Sequence, residues 1–254
     1  MRINLGLIGC GRIARLVHLS SIKNLGGVIR LSAVSDTDSG CANAAAKAMP
    51  GAKVYGDYNE LLRCEDIDAV IICLPTFLHA EAALEAFRHG KHVYLEKPLA
   101  QNTKEAALVL EEWSKSGNEG MAGLNLRFNL IYSALKEKIG SGVAGDINSV
   151  RTVFTSSSRD LPEWKRKRAT GGGVLLDLAS HHADLARYMF GSEVAEVKAS
   201  IESRESEDDN AFMEMKMEYG IHVQAYFSLN SADEDKIEVY GTKGKLTADR
   251  YNSF

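Results

Sequence analysis

The strongest constraint on the fold is the alternation of apolar runs with helical patterns over residues 3–116. The run Ala69-Val70-Ile71-Ile72-Cys73-Leu74 is continuously apolar, as in a strand that is covered on both faces. Strands that alternate with helices predict a parallel, doubly wound sheet. Ligands of such sheets bind beyond the carboxyl ends of the strands. We therefore expect the functional residues of this region directly after its strands.

A glycine turn follows the first apolar run and opens a helical pattern. A first glycine permits a tight turn, a second lets the backbone approach a pyrophosphate, and a small third residue lets the helix pack closely on the strand. The free N–H groups of the helix start would face the phosphates. Glycine turns are common, so this motif alone is not specific. The predicted cofactor-binding residues of the turn are Gly9, Gly11, Arg12, Ile13 and Ala14.

Asp36 ends the second predicted strand, roughly 20–25 residues beyond the glycine turn, where an acid would bind the ribose hydroxyls. It would repel a 2′-phosphate, and no arginine follows it closely, so NAD is favoured over NADP. The alternative is that Asp36 caps a helix starting near Ser39. Leu74 and Thr76 follow the apolar run of residues 69–74, at the same edge of the sheet.

Glu96-Lys97-Pro98 follows a further strand, predicted over residues 92–95. On position alone, Lys97 is most simply a solvated lysine. At the carboxyl edge of a nucleotide-binding sheet it is also well placed for chemistry.

The rest of the chain predicts a second domain of the α+β class, with a mostly antiparallel open sheet and turns at residues 219–220 and 241–244. We place the boundary between residues 122 and 123, giving a dinucleotide-binding domain, 1–122, and a substrate and oligomerisation domain, 123–254.

A helix is predicted over residues 174–190, with Asp177, His181 and Asp184 on one face. This face could be a solvent-exposed stripe, a metal site or a catalytic acid/base surface. No further ligand set is evident, so no metal is expected. The basic stretch of residues 164–168 could be a nucleic-acid patch, a solvated loop or a loop near the substrate.

Composition narrows the function classes. The chain has 254 residues and a formal net charge of -4, which gives no support for nucleic acid or an anionic membrane as the main partner. Its four cysteines lack CxxC spacing and favour a reduced, cytoplasmic protein. There is no run of about 18 apolar residues, so no membrane span is expected, and no signal peptide is expected before the first strand.

Four stretches together resemble the glucose-fructose oxidoreductase / inositol dehydrogenase / rhizopine-catabolism (Gfo/Idh/MocA) family of NAD(P)-dependent oxidoreductases. The resemblance spans nearly the whole chain, and its last two stretches are the specific ones. The stretches are residues 9–14, Pro75-Thr76-x-x-His79, residues 90–100 with Glu96-Lys97-Pro98, and residues 171–184 with Asp177-x-x-x-His181.

The resemblance implies an N-terminal Rossmann domain and oxidation of a secondary alcohol of a sugar, a polyol or a related small molecule, with NAD as cofactor and NADP less favoured. His181 would take the hydroxyl proton, Lys97 would stabilise charge on that oxygen, and Asp177 would support either one. It also implies cofactor contacts by His79, Glu96 and Lys97 and substrate contacts by Arg127, Trp164 and Asp184. The Lys97–Pro98 peptide bond is expected to be cis.

Family members usually continue beyond the equivalent of Phe254, so the second domain is expected to be short at its C-terminus. An exposed sheet edge would then favour a homo-oligomer formed through the C-terminal sheet. The resemblance leaves two other functions open: an NAD-dependent glycoside-cleaving enzyme and a non-catalytic NAD-binding regulatory module.

Overall fold

The computed structural model describes residues 2–157 and 161–251. The chain divides into two compact units, Met1–Gly123 and Leu124–Phe254. Each unit has its own sheet and its own buried core.

The first unit is built on a six-stranded sheet in which every neighbouring pair is parallel. This confirms the predicted doubly wound Rossmann architecture. Apolar side chains of the central strands, such as Leu7 and Ile72, are fully buried because helices cover both faces. The strand order is β3-β2-β1-β4-β5-β6, with β1 Ile3–Ile8, β2 Ile29–Ser35, β3 Lys53–Tyr55, β4 Ala69–Ile72, β5 His92–Leu95 and β6 Gly120–Ala122.

Five α-helices connect these strands. They are α1 Leu19–Asn24, α2 Ser39–Ala48, α3 Tyr58–Leu62, α4 His79–Arg88 and α5 Thr103–Ser116. A π-helical turn, Ala14–His18, leads directly into α1. Helix α2 is capped by Asp38, whose carboxylate accepts from the backbone N–H groups of Gly40 and Cys41. Asp38 therefore fills the capping role that the alternative interpretation gave to Asp36.

The second unit has a six-stranded, mostly antiparallel sheet, as predicted. Only β7 and β10 pair in parallel within the sheet that the structure describes. The order is β12-β11-β7-β10-β9-β8, with β7 Ile147–Thr155, β8 Val194–Glu202, β9 Asn210–Met217, β10 His222–Ser228, β11 Glu234–Gly241 and β12 Lys245–Asp249. Its α-helices are α6 Leu130–Gly140 and α7 Ser180–Phe190, and a π-helical turn, Leu175–Ala179, precedes α7.

Successive side chains along each strand point to opposite faces of this sheet. Inward side chains such as Met215 and Phe227 are buried in one core with Tyr132 of α6 and Leu185 of α7. The opposite face carries Phe212, which is 52% exposed.

A buried polar cluster lies within this core. Asp235 accepts hydrogen bonds from Tyr132 and Arg250, and one of its oxygens lies 3.0 Å from His182 Nε2. Burial alone would raise the pKa of Asp235, but the bonds from His182 and Tyr132 and the charge of Arg250 outweigh it and lower that pKa. His182, whose ring also contacts Thr152, thus has a structural environment.

Among the described residues, no helix is both long enough and apolar enough to cross a bilayer.

Candidate functional site

The glycine turn has the geometry of a phosphate cradle. Gly9 has a φ of +87°, and a Cβ added there would lie 2.6 Å from the carbonyl oxygen of Cys73. A Cβ added to Gly11 would meet no atom within 4 Å, so open space lies in front of that backbone. Ala14 is fully buried, whereas Arg12 and Ile13 are exposed. The cradle therefore fits the pyrophosphate of a dinucleotide.

Asp36 stands at the carboxyl end of β2, beside this turn. Its Oδ2 accepts from the backbone N–H of Cys10 at 2.7 Å, and its Oδ1 accepts from that of Asp38 at 2.8 Å. Each carboxylate oxygen can accept a further bond, so two ribose hydroxyls can still be bound. The two backbone bonds hold the carboxylate in one orientation next to the turn.

The end of β4 supplies the next predicted contacts. Leu74 is half-buried, and Thr76, which begins a short 3-10 turn, is only 3% exposed. His79 begins α4 and is 2% exposed. Its Nδ1 lies 2.6 Å from the carbonyl oxygen of Pro98, and its Nε2 lies 2.8 Å from that of Leu74. Both nitrogens therefore contact backbone, and direct cofactor contact by His79 stays a prediction.

The lysine segment, Glu96-Lys97-Pro98, directly follows β5. All three residues are half-buried, and the Lys97–Pro98 peptide bond is cis, as the resemblance implied. In the register of these parallel strands, the carboxyl ends of β1, β2, β4 and β5 lie side by side. The lysine segment thus shares one edge of the sheet with Gly9 and Asp36.

One histidine of this region was not foreseen from the sequence. His18 Nε2 lies 2.7 Å from Glu96 Oε1, and both side chains are largely buried, at 9% and 15% exposure. Its ring also meets Tyr94 edge to face, at 5.4 Å between centroids. The available signal was the position of His18 four residues after Ala14, on the helix that opens at the glycine turn.

In the second unit, Asp177 lies in the π-helical turn before α7. Its Oδ1 accepts from Lys165 Nζ at 2.8 Å, and its side chain is 19% exposed. Lys165 lies in a 3-10 turn, Glu163–Arg166, that packs closely on Gly172, because a Cβ added to Gly172 would lie 2.3 Å from the Lys165 carbonyl oxygen. This ion pair was not predicted, because a basic stretch such as residues 164–168 does not by itself indicate which carboxylate a lysine contacts.

The basic stretch is largely neutralised by nearby carboxylates. Besides the Lys165–Asp177 pair, Lys167 contacts Glu163 at 2.8 Å and Arg168 contacts Asp208 at 2.5 Å. Trp164 is half-buried, and its carbonyl oxygen accepts from the Thr170 hydroxyl at 2.6 Å. Paired charges of this kind give no support to the nucleic-acid interpretation.

Arg127 and Asp184 form a further ion pair of this unit. The guanidinium donates two hydrogen bonds to the carboxylate, through Nε at 2.7 Å and through Nη2. This pairing raises the pKa of Arg127. Asp184 is 6% exposed, whereas the Arg127 side chain is 37% exposed and the more accessible of the two.

His181 is half-buried in α7, and its ring lies 6.2 Å from that of Phe154. Asp177 lies in the π-helical turn, and His181 and Asp184 lie in α7, so the shared face of the three side chains stays a prediction. Within residues 2–157 and 161–251, no cluster of three or more His, Cys, Asp or Glu side chains could hold a metal ion. The catalytic, cofactor and substrate roles of the named residues stay predictions.

Two family models match the chain. Residues 3–124 match the model described as "Oxidoreductase family, NAD-binding Rossmann fold", and residues 132–247 match "GFO/IDH/MocA C-terminal domain".

Similar proteins agree with these matches. The uncharacterized oxidoreductase YrbE of Bacillus subtilis is 31% identical, over 96% of this chain and 73% of that protein. The myo-inositol 2-dehydrogenase of Thermotoga maritima is 30% identical, over 97% of this chain and 75% of that protein. The crystal structure of GenD2, from gentamicin A biosynthesis, in complex with NAD superposes with a TM-score of 0.91 at 26% identity, over 98% of this chain and 72% of that one.

Proposed function

Because the chain belongs to the Gfo/Idh/MocA family of oxidoreductases, we propose that it is an NAD(P)-dependent dehydrogenase that oxidises a secondary alcohol of a sugar, a polyol or a related small molecule. The observation that carries this proposal is the position of Lys97. It follows β5 at the same sheet edge as the glycine turn and the fixed carboxylate of Asp36. A hydrogen-bond donor at the cofactor edge suits the polarisation of an alcohol oxygen. The name of the myo-inositol 2-dehydrogenase relative supports a polyol as substrate.

NAD, when bound, accepts the hydride from the carbinol carbon. The backbone at Gly9 and Gly11 binds its pyrophosphate, and the Asp36 carboxylate accepts from the ribose hydroxyls. A 2′-phosphate would bring negative charge against Asp36, so NAD is preferred to NADP. Thr76 and Leu74 follow β4 at the same edge of the sheet and are assigned to contact with the cofactor.

The chain's own side chains handle the proton and the charge on oxygen. His181 takes the hydroxyl proton, since imidazole titrates nearest to neutral pH. Lys97 is assigned to stabilising the negative charge that develops on the substrate oxygen. Asp177 supports either Lys97 or His181 electrostatically, and its ion pair with Lys165 holds the carboxylate in place.

Arg127 is the substrate-binding residue with the clearest support. It is the more exposed member of its pair, and Asp184 fixes its guanidinium in a planar, bidentate arrangement. The free N–H groups of such a guanidinium suit the oxygens of a sugar or polyol. Trp164 supplies an apolar ring on which a sugar face can pack.

The test is an absorbance screen for NADH or NADPH formation with sugars, inositols and amino sugars. We expect turnover with at least one alcohol and a preference for NAD. Lys97→Met should lower kcat by about 100- to 1000-fold, the usual cost of removing a donor that stabilises developing negative charge. Lys104→Met, at an exposed lysine in the first turn of α5, is the matched control and should retain activity.

Three outcomes would contradict the proposal. Wild-type turnover by Lys97→Met would remove the assigned role of that residue. Cleavage of a glycoside without net NADH formation would favour the glycoside-cleaving alternative. Tight NAD binding without turnover of any alcohol or glycoside would favour a regulatory module.

The open face of the second sheet supports a homo-oligomer. Phe212 stacks on Tyr226 at 4.7 Å between ring centroids and is 52% exposed. Aromatic side chains exposed on a sheet face suit association with a second copy. Light scattering after gel filtration should show a mass above 27.7 kDa that Phe212→Glu reduces to the monomer. A monomeric wild type at micromolar concentration would contradict this. The cytoplasmic location stays a prediction.

A further inference from the structure

Two buried histidines flank Lys97 within the first unit. His18 is 7% exposed and His79 is 2% exposed. Neither takes part in the chemistry proposed above. One contacts the residue before Lys97, and the other contacts the residue after it.

His18 contacts the side chain that precedes the lysine. It is the last residue of the π-helical turn that follows the glycine turn, and its Nε2 meets Glu96 Oε1 at 2.7 Å. A hydrogen bond to a carboxylate that is largely shielded from solvent is among the stronger hydrogen bonds in proteins. The Tyr94 ring closes one side of the imidazole, and burial followed by the Glu96 charge raises the pKa of Tyr94 to about 12, so that its hydroxyl stays neutral.

His79 contacts the backbone that follows the lysine. Its ring spans the carbonyl oxygens of Pro98 and Leu74, at 2.6 and 2.8 Å. Burial lowers the pKa of His79, while the two carbonyl groups and Glu96 act in the opposite direction. A neutral ring donates one of these bonds and an imidazolium donates both. The imidazolium therefore joins the end of β4 to the residue after Lys97 through two donated bonds, whereas a neutral ring donates to only one of the two carbonyl oxygens.

We infer that His18 and His79 are positioning residues that fix the lysine segment from both sides, relative to the glycine turn and to the end of β4. This inference rests on the proposed role of Lys97. A lysine side chain is long and flexible, so the location of its ammonium group depends on how firmly its backbone is held. The strand ladder reaches only to this point, since the Glu96 N–H donates to the Ile72 carbonyl oxygen at 3.0 Å. Beyond it, the two imidazoles continue the anchoring.

The first experiment measures turnover and cofactor binding separately, with myo-inositol as the probe alcohol or, if it is inert, the most active alcohol of the absorbance screen. His18→Ala and His79→Ala should each lower kcat by about 100-fold, the loss that a displacement of about 1 Å can cause. The dissociation constant of NADH should change less than threefold in His18→Ala, since His18 has no predicted contact with the cofactor. His18→Gln should recover most of the lost activity, because its amide can still donate to Glu96. His89→Gln, at an exposed histidine, is the matched control.

The second experiment needs no substrate. Hydrogen exchange of the peptide covering residues 94–101 reports the order of the lysine segment directly. Exchange should accelerate at least tenfold in His18→Ala and His79→Ala, and remain unchanged in the other peptides of the first unit and in His89→Gln.

These measurements keep the two proposals apart. Unchanged exchange at residues 94–101, or an equal increase throughout the unit, would overturn the positioning role. Accelerated exchange with wild-type kcat would also overturn it. If the wild type oxidises no alcohol, the proposed function fails, and the exchange measurement still decides whether the histidines hold the segment.

Discussion

Adding a methyl group to Gly9 and, separately, to Gly11 should distinguish folding of the first unit from its affinity for NAD. The two glycines are two residues apart in one turn, but their surroundings differ. At Gly9 the φ of +87° disfavours any side chain, and the new Cβ would lie 2.6 Å from the Cys73 carbonyl oxygen. At Gly11 the new Cβ would meet nothing within 4 Å, and no left-handed backbone conformation is involved.

The expected magnitudes follow from this geometry. A left-handed conformation costs a residue with a Cβ about 1–2 kcal/mol. Overpacking against a backbone carbonyl, which cannot rotate away, costs about 1–3 kcal/mol more. Gly9→Ala should therefore lower the free energy of unfolding by about 2–5 kcal/mol. Gly11→Ala should leave it unchanged or raise it by up to about 1 kcal/mol, because alanine reduces the entropy of the unfolded chain.

Binding should show the reverse order. The methyl group of Gly11→Ala would occupy the space through which the backbone approaches the pyrophosphate. We expect the dissociation constant of NADH to rise about 10- to 100-fold, which corresponds to about 1.4–2.8 kcal/mol.

Urea unfolding followed by tryptophan fluorescence tests stability, and an NADH fluorescence titration tests binding. Trp113 packs on Phe87 in the first unit, so a Trp164→Phe background makes the fluorescence signal specific for that unit. A folded Gly11→Ala protein that binds NADH as tightly as the parent would refute the cradle. Unchanged stability of Gly9→Ala would refute the close approach to Cys73.

Three further predictions concern charged side chains. Asp36→Ala should narrow the preference for NAD over NADP at least tenfold in kcat/KM, because the acid that repels a 2′-phosphate is gone; an unchanged ratio would remove Asp36 from cofactor selection. Lys165→Met should lower kcat about tenfold by releasing Asp177, while Lys165→Arg retains the ion pair, so equal losses in steady-state assays of both variants would contradict the idea. Asp235→Asn should lower the free energy of unfolding at pH 7 by about 3–5 kcal/mol, because it removes one partner of a buried charge cluster. The pKa of Asp235 in the folded state is lowered from its ordinary value of 3.8. The stabilisation by its carboxylate is therefore complete above pH 3.8 and is lost as the pH falls through the lowered pKa. The urea midpoints of the variant and the wild type should therefore converge in acid.

The architecture of the first unit could be predicted because its signals are local. Each strand is a short apolar run, and the residues that end β1, β2, β4 and β5 lie side by side once the strands are parallel. The glycine turn and Asp36 could therefore be placed at one edge from sequence order alone. His18 could not, because its contact with Glu96 joins residues 78 positions apart through side chains rather than through a ladder.

The second unit shows why the remaining features were not predictable. The parallel pairing of β7 with β10 joins strands that are far apart in the sequence, and an alternating pattern is compatible with either direction. The Lys165–Asp177 pair joins a 3-10 turn to a π-helical turn through side chains, and Gly172 packs closely on the Lys165 carbonyl oxygen; composition reveals neither contact. Local periodicity located the strands and the two hairpin turns, while long-range packing determined their partners.

Two π-helical turns interrupt the regular α-helical spacing near residues of the candidate site. A π-helical turn bonds residue i to residue i+5, so it shifts the following residues around the helix relative to α-helical spacing. At Ala14–His18 the turn leads from the glycine cradle to the residue that contacts Glu96. At Leu175–Ala179 it carries Asp177 to Lys165, whereas Asp184, in the α-helix that follows, contacts Arg127. Spacing of i, i+4 and i+7 predicts one shared face in a regular α-helix, and a π-helical turn departs from that spacing. π-Helical turns depart from regular helix geometry and are frequent at functional sites. One precedes α1, whose preceding residue His18 contacts Glu96 next to Lys97, and the other precedes α7, which contains His181. Their presence supports selection of these segments for side-chain placement rather than for helix stability.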